Sequence, residues 1–418
     1  MSFQVLSLRL HNFRGVSELT VDFTHRATVF VGINGAGKST VLDALAIALS
    51  QLSWRICGQP RRARAIRRED IRNGAEFARI EIKTRWRDQD MDWAIAVNRK
   101  QGVYADPERK SELTALNQHA RALTEAWNEG LSKALPLTVY YDVNRAVLDV
   151  PMRVREKLAD SPDEAYLDAL DPGGADFKRF FIWFRNLEDQ ENEFRRDDPL
   201  HRKPELEAVR EAIASLTGFS ELRVRRNPLR MTLSKAGQEL NVQQLSDGER
   251  TLLALVGDMA RRLSMLNRVP SKRQGPGVVL IDEIDLHLHP RWQRDVVAKL
   301  ENTFPQCQFI LSTHSPQVLG ELPPEAVKVL GDGQLRPAPG RTLGLSSSEV
   351  LEEIMEGPSR NTAVAQALHT LEHAMEDGDY PQARRHLAAL RSQVGDIPEV
   401  LRLEEQLAWL DPAMEDEA

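Results

Sequence analysis

Apolar and polar residues alternate in residues 3–10, which predicts that the chain begins with a β-strand. A second strand pattern ends in the apolar segment 27–32, directly before a glycine-rich turn. The segment after the turn, 41–52, carries apolar residues at helical spacing. The chain therefore opens with a strand–turn–helix unit, in which a loop can hold an anion at the N-terminus of a helix.

Helical spacing dominates the middle of the chain, in the segments 113–131, 177–187 and 206–216, with one short strand at 135–143. Strand patterns lie on both sides of this part, at 78–87, 92–97, 222–242, 278–281 and 309–312. The segment 278–281 is fully apolar, as expected of a buried parallel strand, and 309–312 predicts another strand. The final 75 or so residues carry no strand pattern and predict two or three helices.

The glycine-rich turn, GINGAGKST at 32–40, fits the pattern G-x-x-x-x-G-K-[ST]. In such a loop the glycines let backbone N–H groups close around phosphate oxygens, Lys38 reaches the β- and γ-phosphates, and the Ser39 hydroxyl ligates Mg²⁺. An ordinary glycine-rich turn is the alternative, but a chance match in a chain of this length has odds of about one in a hundred. ATP and Mg²⁺ are the expected cofactors, and the predicted nucleotide-binding residues are Asn34, Gly35, Ala36, Gly37, Lys38, Ser39 and Thr40.

The apolar strand at 278–281 runs directly into Asp282 and Glu283. At the end of a buried strand, Asp282 would hold Mg²⁺ together with Ser39, and Glu283 would polarise the water that attacks the γ-phosphate. Taken alone, these residues fit equally well a core strand that ends in an exposed acidic turn.

The segment LSDGE at 245–249 has Ser246 as a candidate N-cap and Glu249 three residues later, which is the pattern of a capping box. It precedes the Asp–Glu pair by about 30 residues, and this order and spacing resemble the signature motif of ATP-binding-cassette ATPases. In that family the signature binds the γ-phosphate held by the other subunit. The resemblance thus implies a homodimer with composite ATP sites, and the residues expected to act in trans are Ser246, Asp247, Gly248 and Glu249.

Two further residues take roles from the same resemblance. Asp285 matches the D-loop of the family, and His314, in LSTHSP, matches its switch histidine. The expected catalytic residues are therefore Glu283 and His314.

Within this superfamily the chain resembles the RecF, OLD and structural-maintenance-of-chromosomes branch. The resemblance is carried by LRLHNFRG at 8–15, by the asparagine and glycines of the phosphate loop, and by IDLHLHP at 284–290. It implies an α/β P-loop NTPase head whose mixed sheet has a parallel core plus antiparallel strands, with a helical insertion and a C-terminal helical tail. The expected domains are a head lobe at 1–105, a mainly helical insertion at 106–217, a second head lobe at 218–340 and a C-terminal helical region at 341–418.

The chain also departs from several members of that branch. An insertion of about 100 residues is too short for long coiled-coil arms, and the two cysteines, Cys57 and Cys307, form no pair for a zinc hook. About 100 residues follow His314 without strand character, which does not fit a toprim nuclease domain. The effector activity is therefore expected in another protein.

The chain most resembles the stand-alone ATPases of bacterial anti-phage systems, namely the Septu ATPase, which is paired with an HNH nuclease, and the ATPases of some retrons. The features are Tyr140-Tyr141 followed by Asn144-Arg145, the aromatic helix at 177–193, and the short helical tail. They imply an ATPase dimer that senses or regulates, with a separate nuclease that cuts. A RecF-like ATP-dependent DNA-binding clamp is the alternative, and a non-catalytic ATP-binding scaffold is a third hypothesis.

Composition and charge add the remaining expectations. The 418 residues carry a formal net charge of −7, no apolar run reaches the ~20 residues of a membrane span, and no signal pattern opens the chain. We therefore expect a cytoplasmic protein without a membrane partner. The segment 55–72 carries seven arginines against two acids, which indicates either DNA contact or a solvated loop.

Two assignments stay open at this level. Gln190 and Asn144 are both candidates for the Q-loop contact of the family, and the sequence does not choose between them. His287 and His289 belong to the stretch that follows the Asp–Glu pair, and a separate metal site there is not expected.

Overall fold

A computed structural model of the chain describes residues 3–57, 63–143, 161–173, 177–269, 274–337 and 340–411. The chain forms two compact units, 1–347 and 348–418. The strands are β1 (Phe3–Phe13), β2 (Val16–Asp22), β3 (Ala27–Val31), β4 (Phe77–Trp86), β5 (Gln89–Asn98), β6 (Leu137–Tyr141), β7 (Ser220–Arg226), β8 (Leu229–Lys235), β9 (Gln238–Asn241), β10 (Gly277–Ile281), β11 (Cys307–Ser312), β12 (Val327–Gly331) and β13 (Gln334–Leu335).

The helices are α1 (Lys38–Cys57), α2 (Thr114–Asn128), α3 (Pro162–Tyr166), α4 (Phe177–Phe194), α5 (Pro204–Thr217), α6 (Asp247–Leu266), α7 (Pro290–Thr303), α8 (Pro316–Leu319), α9 (Ser347–Glu353), α10 (Thr362–Glu376), α11 (Tyr380–Val394) and α12 (Pro398–Leu410).

The central sheet has six strands in the order β13-β12-β3-β11-β10-β6. Its strands pair in parallel except for β13, which is antiparallel to β12. Every residue of β3, β6, β10 and β11 is buried, which explains why their sequences are mostly apolar. Because the carboxyl ends of parallel strands meet at one edge, the loops that follow these four strands lie next to one another there.

Two antiparallel sheets complete the first unit, with strand orders β2-β1-β4-β5 and β7-β8-β9. The predicted fold class, an α/β P-loop head whose mixed sheet has a parallel core plus antiparallel strands, is confirmed. The second unit contains α10, α11 and α12, which pack around buried apolar side chains that include Leu371, Leu387 and Leu407.

Helix α1 is long and apolar enough to cross a membrane by length and composition, and 72% of its 18-residue apolar window is buried inside the protein. The helix directly follows the glycine-rich loop. It packs against β5, where the indole N–H of Trp93 donates to the carbonyl of Ala48 on α1 at 3.1 Å. Its apolar sequence is thus used in the core of the first unit.

A buried side-chain amide joins the central sheet to the first antiparallel sheet. Gln308 of β11 accepts a hydrogen bond from the backbone N–H of Val5 at 2.7 Å and donates one to the carbonyl of Val5 at 3.0 Å. The pairing of β1 with β4 is irregular between Val5 and Ser7, and Gln308 contacts β1 at this point.

Replacement of Gln308 by leucine should lower the free energy of unfolding by about 2 kcal/mol, because it leaves two buried backbone groups of Val5 without these partners. Urea unfolding measures the change. Gln334→Leu, at an exposed position of β13, is the matched control and should change stability little. Equal stabilities for the two variants would contradict a structural role of Gln308.

Candidate functional site

The glycine-rich loop between β3 and α1 has the backbone that its sequence predicts. Gly35 and Gly37 have φ values of +83° and +106°, which side chains disfavour. A side chain at Gly32 would meet the carbonyl oxygen of Leu330 at 2.2 Å, so the loop presses directly on β12. The Lys38 ammonium lies against its own loop and donates to the carbonyls of Gly32 at 2.8 Å and Ile33 at 3.2 Å.

The predicted phosphate-binding residues are contiguous in this loop and in the first turn of α1. Asn34, Gly35 and Ser39 are exposed, whereas Ala36 and Lys38 are buried. Burial lowers the pKa of Lys38, and the negative charges of Asp282, Glu283 and Asp285 partly oppose this. The three acids that follow β10 therefore act electrostatically on Lys38.

Asp282 and Glu283 follow β10 at the same edge of the sheet. The backbone N–H of Asp282 donates to the carbonyl of Tyr141 at 2.8 Å, and its buried carboxylate accepts a short hydrogen bond from the Ser312 hydroxyl. Glu283 has a φ of +48°, in the left-handed region, and its N–H donates to the Ser312 Oγ at 2.8 Å. Such a conformation costs about 1–3 kcal/mol and persists only where its surroundings fix it.

Ser312 is a residue that the sequence analysis did not single out. Its hydroxyl contacts Asp282 and Glu283, and its carbonyl accepts from the N–H of Ile284 at 3.0 Å. One residue at the end of β11 thus fixes three consecutive residues after β10. The sequence feature that could have predicted this role is a serine at the end of a buried strand, directly before Thr313 and His314.

Asp285 fixes the segment that carries His314. Its Oδ1 accepts from the Thr313 hydroxyl at 2.5 Å and from the backbone N–H of His314 at 3.3 Å. Gln293 of α7 reinforces the arrangement, because it accepts from the Ser315 hydroxyl at 2.8 Å and donates to the Leu288 carbonyl at 2.8 Å. Asp285 and the half-buried His314 therefore belong to two loops that are joined by hydrogen bonds.

The segment 245–249 begins α6 as predicted. Ser246 is the N-cap, and its backbone N–H and hydroxyl both donate to Glu249 Oε2 at 3.0 Å. A side chain at Gly248 would meet the carbonyl oxygen of His287 at 2.3 Å, so only glycine fits between α6 and the loop after β10. Ser246 and Asp247 are exposed. Among the described residues, no hydrogen bond or ion pair joins 246–249 to the phosphate loop.

A buried charged network links α6 to β6. The Asp258 carboxylate, 1% exposed, accepts from the Tyr141 hydroxyl at 2.9 Å, from Arg261 at 2.8 Å and from Arg262 at 2.6 Å. Burial alone would raise the pKa of Asp258, but the charges of Arg262 and Arg261 hold it below its ordinary value. Tyr141 ends β6 and pairs with Ile281 of β10, so the network connects α6 with the strand beside Asp282.

Of the two Q-loop candidates, Gln190 lies within the described residues and Asn144 does not. Gln190 lies on α4, where its side-chain oxygen accepts from Lys203 at 2.8 Å. Gln190 is exposed, whereas Glu188, two residues earlier, is buried and accepts from the N–H of Val224 on β7. Asn144, three residues after β6 ends, lies outside the described residues, as does Arg145.

The arginine-rich segment does not form one free basic surface. Arg64 is 18% exposed and donates to Asp43 at 2.5 Å and to the Leu170 carbonyl at 2.8 Å, so it ties α1 to the segment before α4. Arg67, Arg68 and Arg72 are exposed. Arg61 and Arg62 lie outside the described residues.

The oxygen donors at the sheet edge fit Mg²⁺. This ion is bound by one or two protein carboxylates or hydroxyls together with phosphate oxygens, and Ser39 and Asp282 offer that donor set. In the described ranges, His, Cys, Asp and Glu form no group of three or more that could hold a metal ion by themselves. A nucleotide would therefore have to supply part of the coordination.

Comparisons with known proteins give a matching family and similar proteins. The AAA_21 family, described as "AAA domain, putative AbiEii toxin, Type IV TA system", matches residues 27–320. "Retron Ec83 probable ATPase" of Escherichia coli is 33% identical, over 85% of this chain and 77% of its own length. "Septu protein PtuA" of Bacillus mycoides (strain KBAB4) is 28% identical, over 79% of this chain and 41% of its own length. The predicted resemblance to retron and Septu ATPases is confirmed.

A solved structure also matches. The SMC head domain from Thermotoga maritima gives a TM-score of 0.43 at 16% identity, and the match covers 80% of this chain and 99% of that chain.

Proposed function

Since this chain belongs to the AAA_21 family, we propose that it is an ATPase that binds ATP and Mg²⁺ between two copies of itself and regulates a separate nuclease in an anti-phage system. One observation carries the proposal. The phosphate loop, the Asp282–Glu283 pair and the His314 segment follow three neighbouring parallel strands, β3, β10 and β11, and so meet at one edge of the sheet.

The chemistry follows from what these side chains can do. Lys38 and the backbone of the phosphate loop bind phosphate oxygens, and Ser39 and Asp282 hold Mg²⁺. The metal ion neutralises charge on the β- and γ-phosphates when it is bound. Glu283, fixed by Ser312, orients and polarises the attacking water, and His314 completes the site from the neighbouring loop.

The homodimer is proposed from the position of the signature. Ser246 is exposed at the N-terminus of α6, a place where backbone N–H groups favour an anion. Among the described residues, 246–249 make no hydrogen bond to the phosphate loop of the same chain. This supports the proposal that the segment binds the nucleotide held by a second copy.

Similarity to the retron and Septu proteins supports a role in anti-phage defence. The regulatory part of that role is proposed from the sequence resemblance. The partner proposed from the sequence resemblance is a nuclease of the HNH type, in a cytoplasmic complex. A product of a neighbouring gene that copurifies with the chain and cleaves DNA would support this, whereas DNA cleavage by the purified chain alone would contradict the division of labour.

A second candidate function is an ATP-dependent DNA-binding clamp, which the exposed Arg67, Arg68 and Arg72 favour. Replacement of all three by glutamine should then weaken ATP-dependent DNA binding and reduce its salt dependence. DNA affinity that is independent of both ATP and these arginines would exclude the clamp.

Mixing two inactive variants tests the composite site. Lys38→Met disables the phosphate loop, and Ser246→Arg blocks the signature, so each variant alone should show almost no ATP turnover. Half of the dimers in an equimolar mixture are mixed and contain one intact site of two, so we expect about one quarter of wild-type turnover. Phosphate release measures it. Activity of Ser246→Arg alone, or no recovery on mixing, would contradict a site shared between two chains.

A further inference from the structure

The carboxylate of Glu249 lies at the signature, beside the serine that the proposed function assigns to a phosphate. Its side chain is 9% exposed. Glu249 Oε2 accepts both hydrogen bonds donated by Ser246, and Oε1 accepts a short hydrogen bond from the Lys235 ammonium. Both oxygens are therefore engaged, one by the helix cap and one by a cation from another element.

This carboxylate opposes the approach of a phosphate. The first turn of α6 attracts an anion through its free N–H groups, but a negative charge within the same turn repels it. Glu249 also accepts the hydrogen bond that the Ser246 hydroxyl donates at 3.0 Å, and that hydroxyl must donate to a phosphate oxygen if the serine is to bind one. A glutamate at this position thus needs a compensating positive charge.

Lys235 supplies that charge from the β8–β9 hairpin. It is the last residue of β8, directly before the tight turn at Ala236-Gly237, and its side chain is 44% exposed. The other acidic residue in the first turn of α6, Asp247, is exposed and pairs with Arg250, three residues later. Burial would raise the pKa of Glu249, but the hydrogen bonds from Lys235 and Ser246 hold it below its ordinary value, so the group stays ionised.

We propose that Lys235 is a positioning residue for the signature: it neutralises Glu249, so that the capped Ser246 and the N-terminus of α6 can receive the γ-phosphate of an ATP bound to a second copy. The proposal rests on the proposed function, and it adds a residue from the three-stranded sheet to the site. Lys235 acts on the nucleotide through Glu249 and Ser246.

The test uses the full chain with Glu283→Gln, in which ATP-bound dimers should accumulate. Adding Lys235→Gln should weaken ATP-dependent dimerisation about tenfold, the size of effect expected when one charge-assisted hydrogen bond to a shielded carboxylate is lost. Binding of a fluorescent ATP analogue to the phosphate loop, measured at protein concentrations too low for dimers, should not change. Lys235→Arg keeps the charge and should retain most of the dimerisation.

A compensating variant separates charge from structure. If Lys235 acts by neutralising Glu249, then Lys235→Gln combined with Glu249→Gln should recover dimerisation to within about threefold of the parent. The control is Arg225→Gln, which removes an exposed ion pair with Glu239 from the same sheet and should leave dimerisation unchanged. Thermal unfolding of each variant verifies that it is folded.

The possible failures are distinct. If the Glu283→Gln parent does not dimerise with ATP, the proposed function fails. If the parent dimerises and Lys235→Gln dimerises equally well, only the role of Lys235 fails. If Lys235→Gln is defective but Glu249→Gln does not restore it, and Lys235→Arg is equally defective, then Lys235 is a structural residue and the proposal is wrong.

Discussion

Glu283→Gln should lower ATP turnover about a hundredfold or more and should make ATP-bound dimers accumulate. A positioned general base contributes about 10²- to 10⁴-fold, and the amide of glutamine cannot accept a proton from water. The substitution keeps the shape of the side chain. The backbone N–H of residue 283 still has the Ser312 hydroxyl as its partner, so Asp282 and Ile284 should stay in place and ATP should still bind.

Turnover is measured by phosphate release, and dimerisation by light scattering with and without ATP and Mg²⁺. Glu325→Gln is the matched control, since Glu325 is an exposed glutamate away from the sheet edge and should behave like the wild type. Unchanged turnover in Glu283→Gln would show that Glu283 is not the residue that polarises the attacking water. Loss of both turnover and ATP-dependent dimers would show that the carboxylate is needed to bind ATP.

Local patterns of the chain were sufficient to predict the phosphate loop. A strand, a glycine-rich turn and a helix are contiguous at 27–57, so their chemistry is readable without knowledge of the fold. The Asp–Glu pair was predictable in the same way, because it directly follows an apolar strand. What these motifs could not predict is which strand lies beside which.

The role of Ser312 illustrates this limit. It contacts the Asp–Glu pair because β11 lies between β3 and β10, strands that are more than 200 residues apart in the chain. A single sequence carries no direct record of such pairing. The left-handed backbone of Glu283 could not be predicted for the same reason, since its N–H is bonded to Ser312 at the end of the neighbouring strand β11.

Charged residues show the limit most clearly. Arg64 belongs to a run that indicated a basic surface, yet its partner is Asp43, 21 residues earlier on α1. Lys235 lies in the strand pattern at 222–242, and its contact with Glu249 depends on how the β8–β9 hairpin is placed beside the start of α6. Whether a charge is free or paired is decided by tertiary packing, which composition does not report.

Asp258→Ala should destabilise the protein by about 3–5 kcal/mol, the largest effect on stability that we expect from one substitution. The variant leaves the guanidinium groups of Arg261 and Arg262 buried without their carboxylate. Arg262 keeps hydrogen bonds to the carbonyls of Ala165 at 2.5 Å and Leu167 at 3.2 Å, but these do not compensate a full charge. Tyr141→Phe removes one neutral hydrogen bond and should cost only about 1 kcal/mol.

Urea unfolding at several pH values tests this expectation and its cause. The pKa of Asp258 lies below its ordinary value of about 4, so its stabilising effect is fully present above that pH and is lost as the pH falls through the folded-state value. The penalty of Asp258→Ala should therefore be equal at pH 6 and at pH 8. Asp258→Asn keeps the shape of the side chain and replaces the alanine variant in this test if that variant does not fold. It should still be strongly destabilised, because the charge is absent.

The control for this experiment is Asp295→Ala, which breaks an exposed pair with Lys299 on α7 and should cost at most about 0.5 kcal/mol. A cost for Asp258→Ala as small as that of the control would mean that the buried arginines find other partners. The other result of interest is a large loss of stability in Asp258→Ala together with reduced ATP turnover in the milder variant Tyr141→Phe. It would mean that the signature helix and the strand beside Asp282 must be held in one arrangement for the two halves of the composite site to meet.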